Sequence, residues 1–259
     1  MNKYINGTFL LGMILVFSQC SKCKEQPITS PENNKQVTYR IQWNSVFDNE
    51  DLVAGQTYYD PFNRRFLMED LRGYISEIRL YNELDSFITI KDYSLLNWFN
   101  DPIISVQSQP WNVTKIEYSL GIPASVNTLT DPTTYPNIHP LSVAGASGMF
   151  WTWNTGYIFY MLNGKTDLTG STNSPLVDPL AYHCGDDTLY RTLTFNTAPI
   201  QTEIGKTYTW NFEFNARKCI YNESDTMDFD TEYLTHTTGN LPLAIKAMDL
   251  YQSAFRYIP

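Results

Sequence analysis

The sequence predicts an all-β protein: an antiparallel, immunoglobulin-like β-sandwich closed by a C-terminal helix. Three observations carry that prediction. The chain of 259 residues holds 18 Tyr, 14 Phe and 6 Trp, and aromatic side chains fit the pleated, half-buried surface of a strand. Segments of apolar–polar alternation recur along it, separated by Gly, Pro, Asn and Asp clusters, as stacked antiparallel strands require. Only one stretch, near the C-terminus, spaces its apolar residues as a helix does.

The N-terminus reads as an address. Lys3 precedes the apolar run "TFLLGMILVF", and "SQC" follows, ending at Cys20. The run is too short to cross a bilayer as a helix but matches the apolar region of a secretory signal. A cysteine directly after such a run resembles a bacterial lipobox, although Phe17 and Gln19 stand where Leu and a small residue are usual. Residues 1–19 are therefore expected to be a signal peptide, Cys20 a lipidation site, and the polar residues 20–36 a flexible tether. Loss of residues 1–19 removes Lys3 and takes the formal charge from −9 to −10, 17 basic against 27 acidic groups. The expected location is the bacterial cell envelope, as a periplasmic or outer-membrane lipoprotein. Cys23 lies in the tether. Cys184 and Cys219 lie in the folded part, where an oxidising compartment favours a disulfide over two free thiols.

Residues 37–259 form one domain, with no internal repeat and no splitting linker. "VTYRIQW" alternates Val37, Tyr39, Ile41 and Trp43 against polar neighbours. "GYISEIRLY" and "SFITIKDYSLL" pair around the turn-like "NELD", and "TKIEYSLGI" alternates Ile116, Tyr118 and Leu120. "TLYRTLTFN" and "TYTWNFEFN" add two more strands. Two places break the pattern. Residues 124–147 make a long Pro-, Ser- and Thr-rich loop, and long loops in compact domains are often functional. "LPLAIKAMDLYQSAFRYI" spaces Leu243, Ala247, Leu250, Ala254 and Ile258 as an amphipathic helix.

The chemistry available is narrow. An acidic chain without a Lys/Arg cluster excludes nucleic acid as a partner. There is no GxSxG elbow, phosphate-cradling Gly loop, HExxH or paired CxxC set, so the chain is not expected to be an enzyme. Asp186 with Asp187, and Asp228 with Asp230, read as solvated loop charges, with an acid/base or calcium site as the alternative. In "GMFWTWNTGYIFYMLNG", residues 148–164, period-2 spacing puts Met149, Trp151 and Trp153 on one face. They fill the core, line a site, or do both. Only three histidines exist, His139, His183 and His236. Neutral imidazole suits copper, zinc or nickel, and soft neighbours favour Cu(I).

Taken in order, "GYISEIRLY", "YSLGIPASVNT", "HPLSVAGASGMFWTWNTGYIFYMLNG", "LAYHCGDD" and "LTHTTGNLPLAIKAMDLYQSAF" resemble the MbnP-like family, over about residues 37–258. Its most specific piece is M-F-W-T-W-x-x-G-Y-x-F with a His-Pro upstream and a Y-H-x-G downstream. The resemblance implies a periplasmic β-sandwich that binds copper through histidines and is associated with methanobactin systems. It also implies that a tryptophan is oxidised to kynurenine by a partner di-haem cytochrome of the MbnH type. His139 matches the family's His-Pro, His183 its Phe/Tyr-His-x-Gly, and Trp151 and Trp153 its Trp-x-Trp. Cys184 and Cys219 lie roughly where relatives place a cysteine pair, with Cys184 directly after His183 rather than a few residues on. His236, before the C-terminal helix, is the third ligand candidate. An exported module binding glycan or peptide through exposed aromatics is the competing expectation. The two differ in whether His139 and His183 meet and whether the Trp strand is buried.

Overall fold

The computed structural model describes residues 36–151, 156–169 and 173–259. The expected signal peptide, Cys20, Cys23 and Trp153 lie outside them. In chain order the first strands are β1 (Val37–Phe47), β2 (Glu50–Asp51), β3 (Thr57–Tyr59), β4 (Arg65–Tyr81), β5 (Phe87–Asn97), β6 (Ile103–Ser108) and β7 (Asn112–Leu120). A four-residue helix, α1 (Ala124–Asn127), opens the long loop. Then come β8 (Phe150–Trp151), β9 (Gly156–Tyr157), β10 (Tyr160–Thr166), β11 (Asp178–Cys184), β12 (Arg191–Gln201), β13 (Thr207–Asn215) and β14 (Leu234–Thr235). Helix α2 (Leu241–Ser253) and β15 (Phe255–Ile258) end the chain.

The strands form two main sheets and a small β8–β9 hairpin. One sheet runs β15-β13-β1-β2, with β6 also on β1; the other runs β12-β7-β4-β10-β11-β14, with β3 and β5 also on β4. Alternation explains the layers: Val37, Tyr39, Ile41 and Trp43 all point inward from β1, and Trp210, Phe212 and Phe214 from β13. They meet Tyr118 from the facing sheet, whose ring centroid lies 5.7 Å from those of Trp43 and Phe212, and Trp98 stacks on Phe214 with ring centroids 4.3 Å apart. Most pairings are antiparallel as expected, but β1–β13 and β11–β14 are parallel. Parallel neighbours need crossovers, which alternation within a strand does not encode.

Three elements differ from the sequence expectation. The Trp segment is not one strand: Phe150–Trp151 pairs back on Gly156–Tyr157, and a separate β10 starts at Tyr160. Helix α2 stops at Ser253, and residues 255–258 add an edge strand on β13. Strand β4 is long, serves both β10 and β7, and carries a bulge near Glu77, whose φ is +50°. Residues 66–73 pair with β10 and residues 75–81 with β7. Asp70 and Arg72 therefore stand beside β10.

Candidate metal centre

Strand β11 supplies the first imidazole. Its alternation sends Leu180, Tyr182 and Cys184 into the core and leaves Ala181 and His183 half-buried on the outer face. Antiparallel register then sets the neighbours of His183. Met161 on β10 lies directly opposite it, and Arg72 on β4 lies opposite Met161. Two residues along, Asn163 pairs with Asp70. The Asn163 side-chain oxygen lies 2.7 Å from His183 Nε2. That oxygen only accepts, so Nε2 carries the proton and Nδ1 keeps its lone pair.

Strand β14 supplies the second. It pairs parallel with β11 through Ala181–Leu234 and Tyr182–Thr235, and His236 follows at once. The His183 and His236 rings lie edge to face, with centroids 4.7 Å apart. Thr237 fixes this approach. Its hydroxyl donates to the His183 carbonyl at 2.9 Å and accepts from the Gly185 N–H at 3.0 Å. One side chain thus continues the ladder where the backbone turns away. The turn holds Thr237 at φ +64°, where a β-branched residue is disfavoured. Such strain costs roughly 1–3 kcal/mol and persists only when surrounding bonds enforce it.

Burial pushes the His183 pKa down to about 4, His236 and Arg72 add to the effect, and Asp70 opposes it. The ring is therefore neutral at neutral pH. Arg72 closes the row on the far side. It holds Asp70 in a two-point ion pair at 2.7 and 2.6 Å, donates to the Ser147 carbonyl at 2.7 Å, and reaches the Met161 sulfur at 3.3 Å.

His139 is placed elsewhere. Its ring stacks on Tyr135 at 4.2 Å and meets Tyr93 edge-on, and its Nδ1 accepts from the Leu141 N–H at 3.2 Å. Burial, with Lys91 nearby, lowers its pKa against the pull of Asp92. Tyr93 lies on β5, across β4 and β10 from β11, which is three strand spacings of about 4.8 Å. The structure therefore brings His183 and His236 together and keeps His139 with the long loop. Among the described residues, no group of three or more His, Cys, Asp or Glu side chains converges as a metal cage.

The aromatic segment lies against the end of β11. Met149 is fully buried and Trp151 is 6% exposed. A Cβ on Gly185 would strike the Tyr157 carbonyl and come within 3.0 Å of the Trp151 ring. Glycine at that position lets the hairpin press against the end of β11. Trp151 also walls a cavity of about 210 Å³ with Asn127, Gly156, Gly185, Asp186 and Asp187. Asn127 ties it together, donating to Asp187 at 2.8 Å and accepting from the Tyr157 N–H at 2.8 Å. Among the described tryptophans, Trp43, Trp98, Trp151 and Trp210 are buried, so none of these four offers a flat surface platform to a sugar.

Cys184 and Cys219 are free and buried, where a disulfide was expected. Both lie beside the Tyr160 phenol, whose pKa is raised by burial and further by the two thiols. Asp228 and Asp230 are also explained. Arg64 holds Asp228 at 2.7 Å and approaches Asp230 at 3.9 Å, so an internal guanidinium stands where a calcium ion was the alternative.

Sequence reasoning named His183, His236 and Trp151 but passed over Met161, Asn163, Arg72 and Thr237. Period-2 reading of "YMLNGKT" and "AYHC" puts Met161, Asn163 and His183 on faces, yet their register across strands is a property of the fold. Among the described residues, no helix is long and apolar enough to cross a membrane.

A family model for MbnP matches residues 35–255. Among solved structures, the chain is similar to MbnP from Methylosinus trichosporium at 12% identity and a TM-score of 0.50, over 74% of this chain and 80% of that one. No curated protein matches it.

Proposed function

The chain belongs to the MbnP family, and from that premise we propose that it is an exported copper-binding protein whose metal is held by His183 and His236. The observation that carries this reading is the edge-to-face imidazole pair, with ring centroids 4.7 Å apart on one outer face. The donors suit copper. His183 is neutral at neutral pH because of its depressed pKa of about 4. Its Nε2–H is given to Asn163, the arrangement by which a carbonyl orients a ligating histidine and leaves the other nitrogen free. Cu(I) is satisfied by few, borderline or soft ligands. Copper, when bound, would supply a soft Lewis-acid centre for acquisition or handling of the metal. His139, pinned against Tyr135, would have a structural role in the long loop.

The rest of the reading concerns compartment and partner. Cys20 would anchor the protein to the envelope through lipid, and the chain would bind rather than catalyse. Trp151, packed beside Gly185 at the end of the His183 strand, and Trp153 are the indoles that a partner di-haem cytochrome of the MbnH type would oxidise to kynurenine. Mass mapping of the tryptophan peptides after co-expression with such a cytochrome tests that step, and unmodified peptides would remove it. Cys20→Ala should move the protein from the membrane to the soluble fraction.

Copper itself is tested by Cu(I) titration against a chromophoric competitor. His183→Ala and His236→Ala should each weaken binding at least about tenfold, and His139→Ala should leave it within about threefold. Unchanged affinity in both of the first two variants would end the proposal. Loss only with His139→Ala would return the site to the loop.

A further inference from the structure

Resting on the reading that His183 and His236 hold copper, we propose that the thioether of Met161 is the third donor, with the Arg72 guanidinium standing on that sulfur in the position of a cation. Met161 sits directly opposite His183 in the β10–β11 pair, and opposed residues place their Cβ atoms about 4.5–5.5 Å apart. The flexible methionine stem lets the sulfur swing from Arg72 to the imidazole when a metal binds. Although Met161 is only 5% exposed, its sulfur is not closed within apolar packing. It accepts from Arg72 Nη2 at 3.3 Å. That contact turns the sulfur toward β4, on the outer face that His183 shares from the other side of β10, and the sulfur already holds a positive group.

The composition of the row selects the ion. Two imidazoles and a thioether form a soft to borderline set that suits Cu(I) or Ag(I), whereas Zn(II) gains little from a thioether. Asp70 is the hard donor of the row, and both its oxygens are taken by Arg72, at 2.7 and 2.6 Å. Arg72 thereby withholds the carboxylate that a hard divalent cation would use. Its charge also opposes a divalent ion twice as strongly as a monovalent one. Arg72 is a positioning residue here, and its effect is on selectivity.

The test uses the purified protein and three metals: Cu(I), Ag(I) and Zn(II). Met161→Leu nearly conserves volume and is tolerated in packed sites. It should lower Cu(I) and Ag(I) affinity at least about tenfold while leaving Zn(II) within about threefold. X-ray absorption at the copper edge should find a sulfur scatterer in the unaltered protein and none in Met161→Leu. Arg72→Gln should raise Zn(II) affinity by a larger factor than Cu(I) affinity, narrowing the preference about tenfold. Cu(I) binding that is unchanged in Met161→Leu, with no sulfur scatterer in the unaltered protein, would overturn Met161 as a donor and leave the imidazole pair standing. Equal changes for both metals in Arg72→Gln would overturn its selective role. Failure of the unaltered protein to bind Cu(I) would remove the imidazole site and this inference together.

Discussion

Acidification should destabilise the metal-free protein through His183. In the fold its pKa is pushed down to about 4, chiefly by burial and then by His236, with Asp70 pulling the other way and Arg72 adding to the depression. In the unfolded chain the ring returns to about 6.5. Between these values the unfolded state binds more protons than the native state, so stability rises with pH through that window and falls as pH drops. The full difference of roughly 2.5 units, at 1.36 kcal/mol each, is about 3.4 kcal/mol. At about pH 4.5 roughly 2.5 kcal/mol of it has been lost. The ring is only half-buried, so solvent screening reduces the expected loss to about 1–2 kcal/mol.

Urea unfolding with a chelator present, at about pH 7 and about pH 4.5, measures this directly. The unaltered protein and His183→Gln share every titrating carboxylate, so the difference between their two losses isolates the imidazole. The unaltered protein should lose about 1–2 kcal/mol more than the variant, with equal denaturant slopes. His236→Gln should shrink the loss, because it removes the second-largest cause of the depressed pKa. If the unaltered protein and His183→Gln lose the same stability, His183 is not held neutral by its surroundings, and the electrostatic description of the site is wrong.

Other perturbations test the supports around the row. Thr237→Val deletes the hydroxyl that bridges the His183 carbonyl and the Gly185 N–H; it should cost roughly 1–3 kcal/mol and speed hydrogen exchange at the Gly185 amide, and an unchanged exchange rate would refute the clamp. Arg64→Leu leaves the fully buried Asp60 carboxylate without its guanidinium, and the melting midpoint should fall by the equivalent of about 3 kcal/mol; a midpoint near that of the unaltered protein would show the cradle to be dispensable. Cys184 and Cys219 should resist alkylation until the protein is unfolded, since burial pushes the Cys219 thiol up to about 12 and raises Cys184 further, and peptide mapping before and after denaturation reads this out. A reductant should not shift the melting midpoint.

Much of the fold was legible because burial on one face imposes a period of two. Strand β1 shows it plainly: Val37, Tyr39, Ile41 and Trp43 are all buried, with partly or fully exposed residues between. What alternation cannot encode is which strands become neighbours. The parallel β1–β13 pair and the β11–β14 pair join segments far apart in the chain. The site depends on such pairings, so Met161 and Arg72 acquire meaning only once β10 is seen between β4 and β11. The family likeness flagged His139 and His183 equally, yet local chemistry separates them. "TTYPNIHP" offers a tyrosine four residues before His139, and the Tyr135 ring stacks on that imidazole within the same loop. The free thiols were the other misreading: the spacing of Cys184 and Cys219 did not reveal that both flank Tyr160, whose ring also stacks on Tyr251 at 4.2 Å.

The imidazole pair sits where the sheet is weakest, and that has a physical consequence. Strand β14 contains two residues and pairs with β11 through two positions, far less than an independent strand needs for stability. His236 is therefore held against His183 mainly by Thr237, a residue in a strained conformation that its own hydroxyl bonds must enforce. A ligand bound by both rings would favour the closed arrangement over an opened one by RT ln(1 + L/Kd), where L is the free ligand concentration. A metal held by both rings would thus stabilise the same contact that the Thr237 hydroxyl stabilises. Releasing the clamp lowers the fraction of molecules with both rings in place, and the apparent affinity falls by that fraction while each ring's intrinsic donor strength is unchanged. Loss of a donor acts differently: it weakens the bound state itself, however closed the turn remains. The two kinds of variant separate assembly of the site from its chemistry, because only the first should be rescued by conditions that stabilise the edge of the sheet.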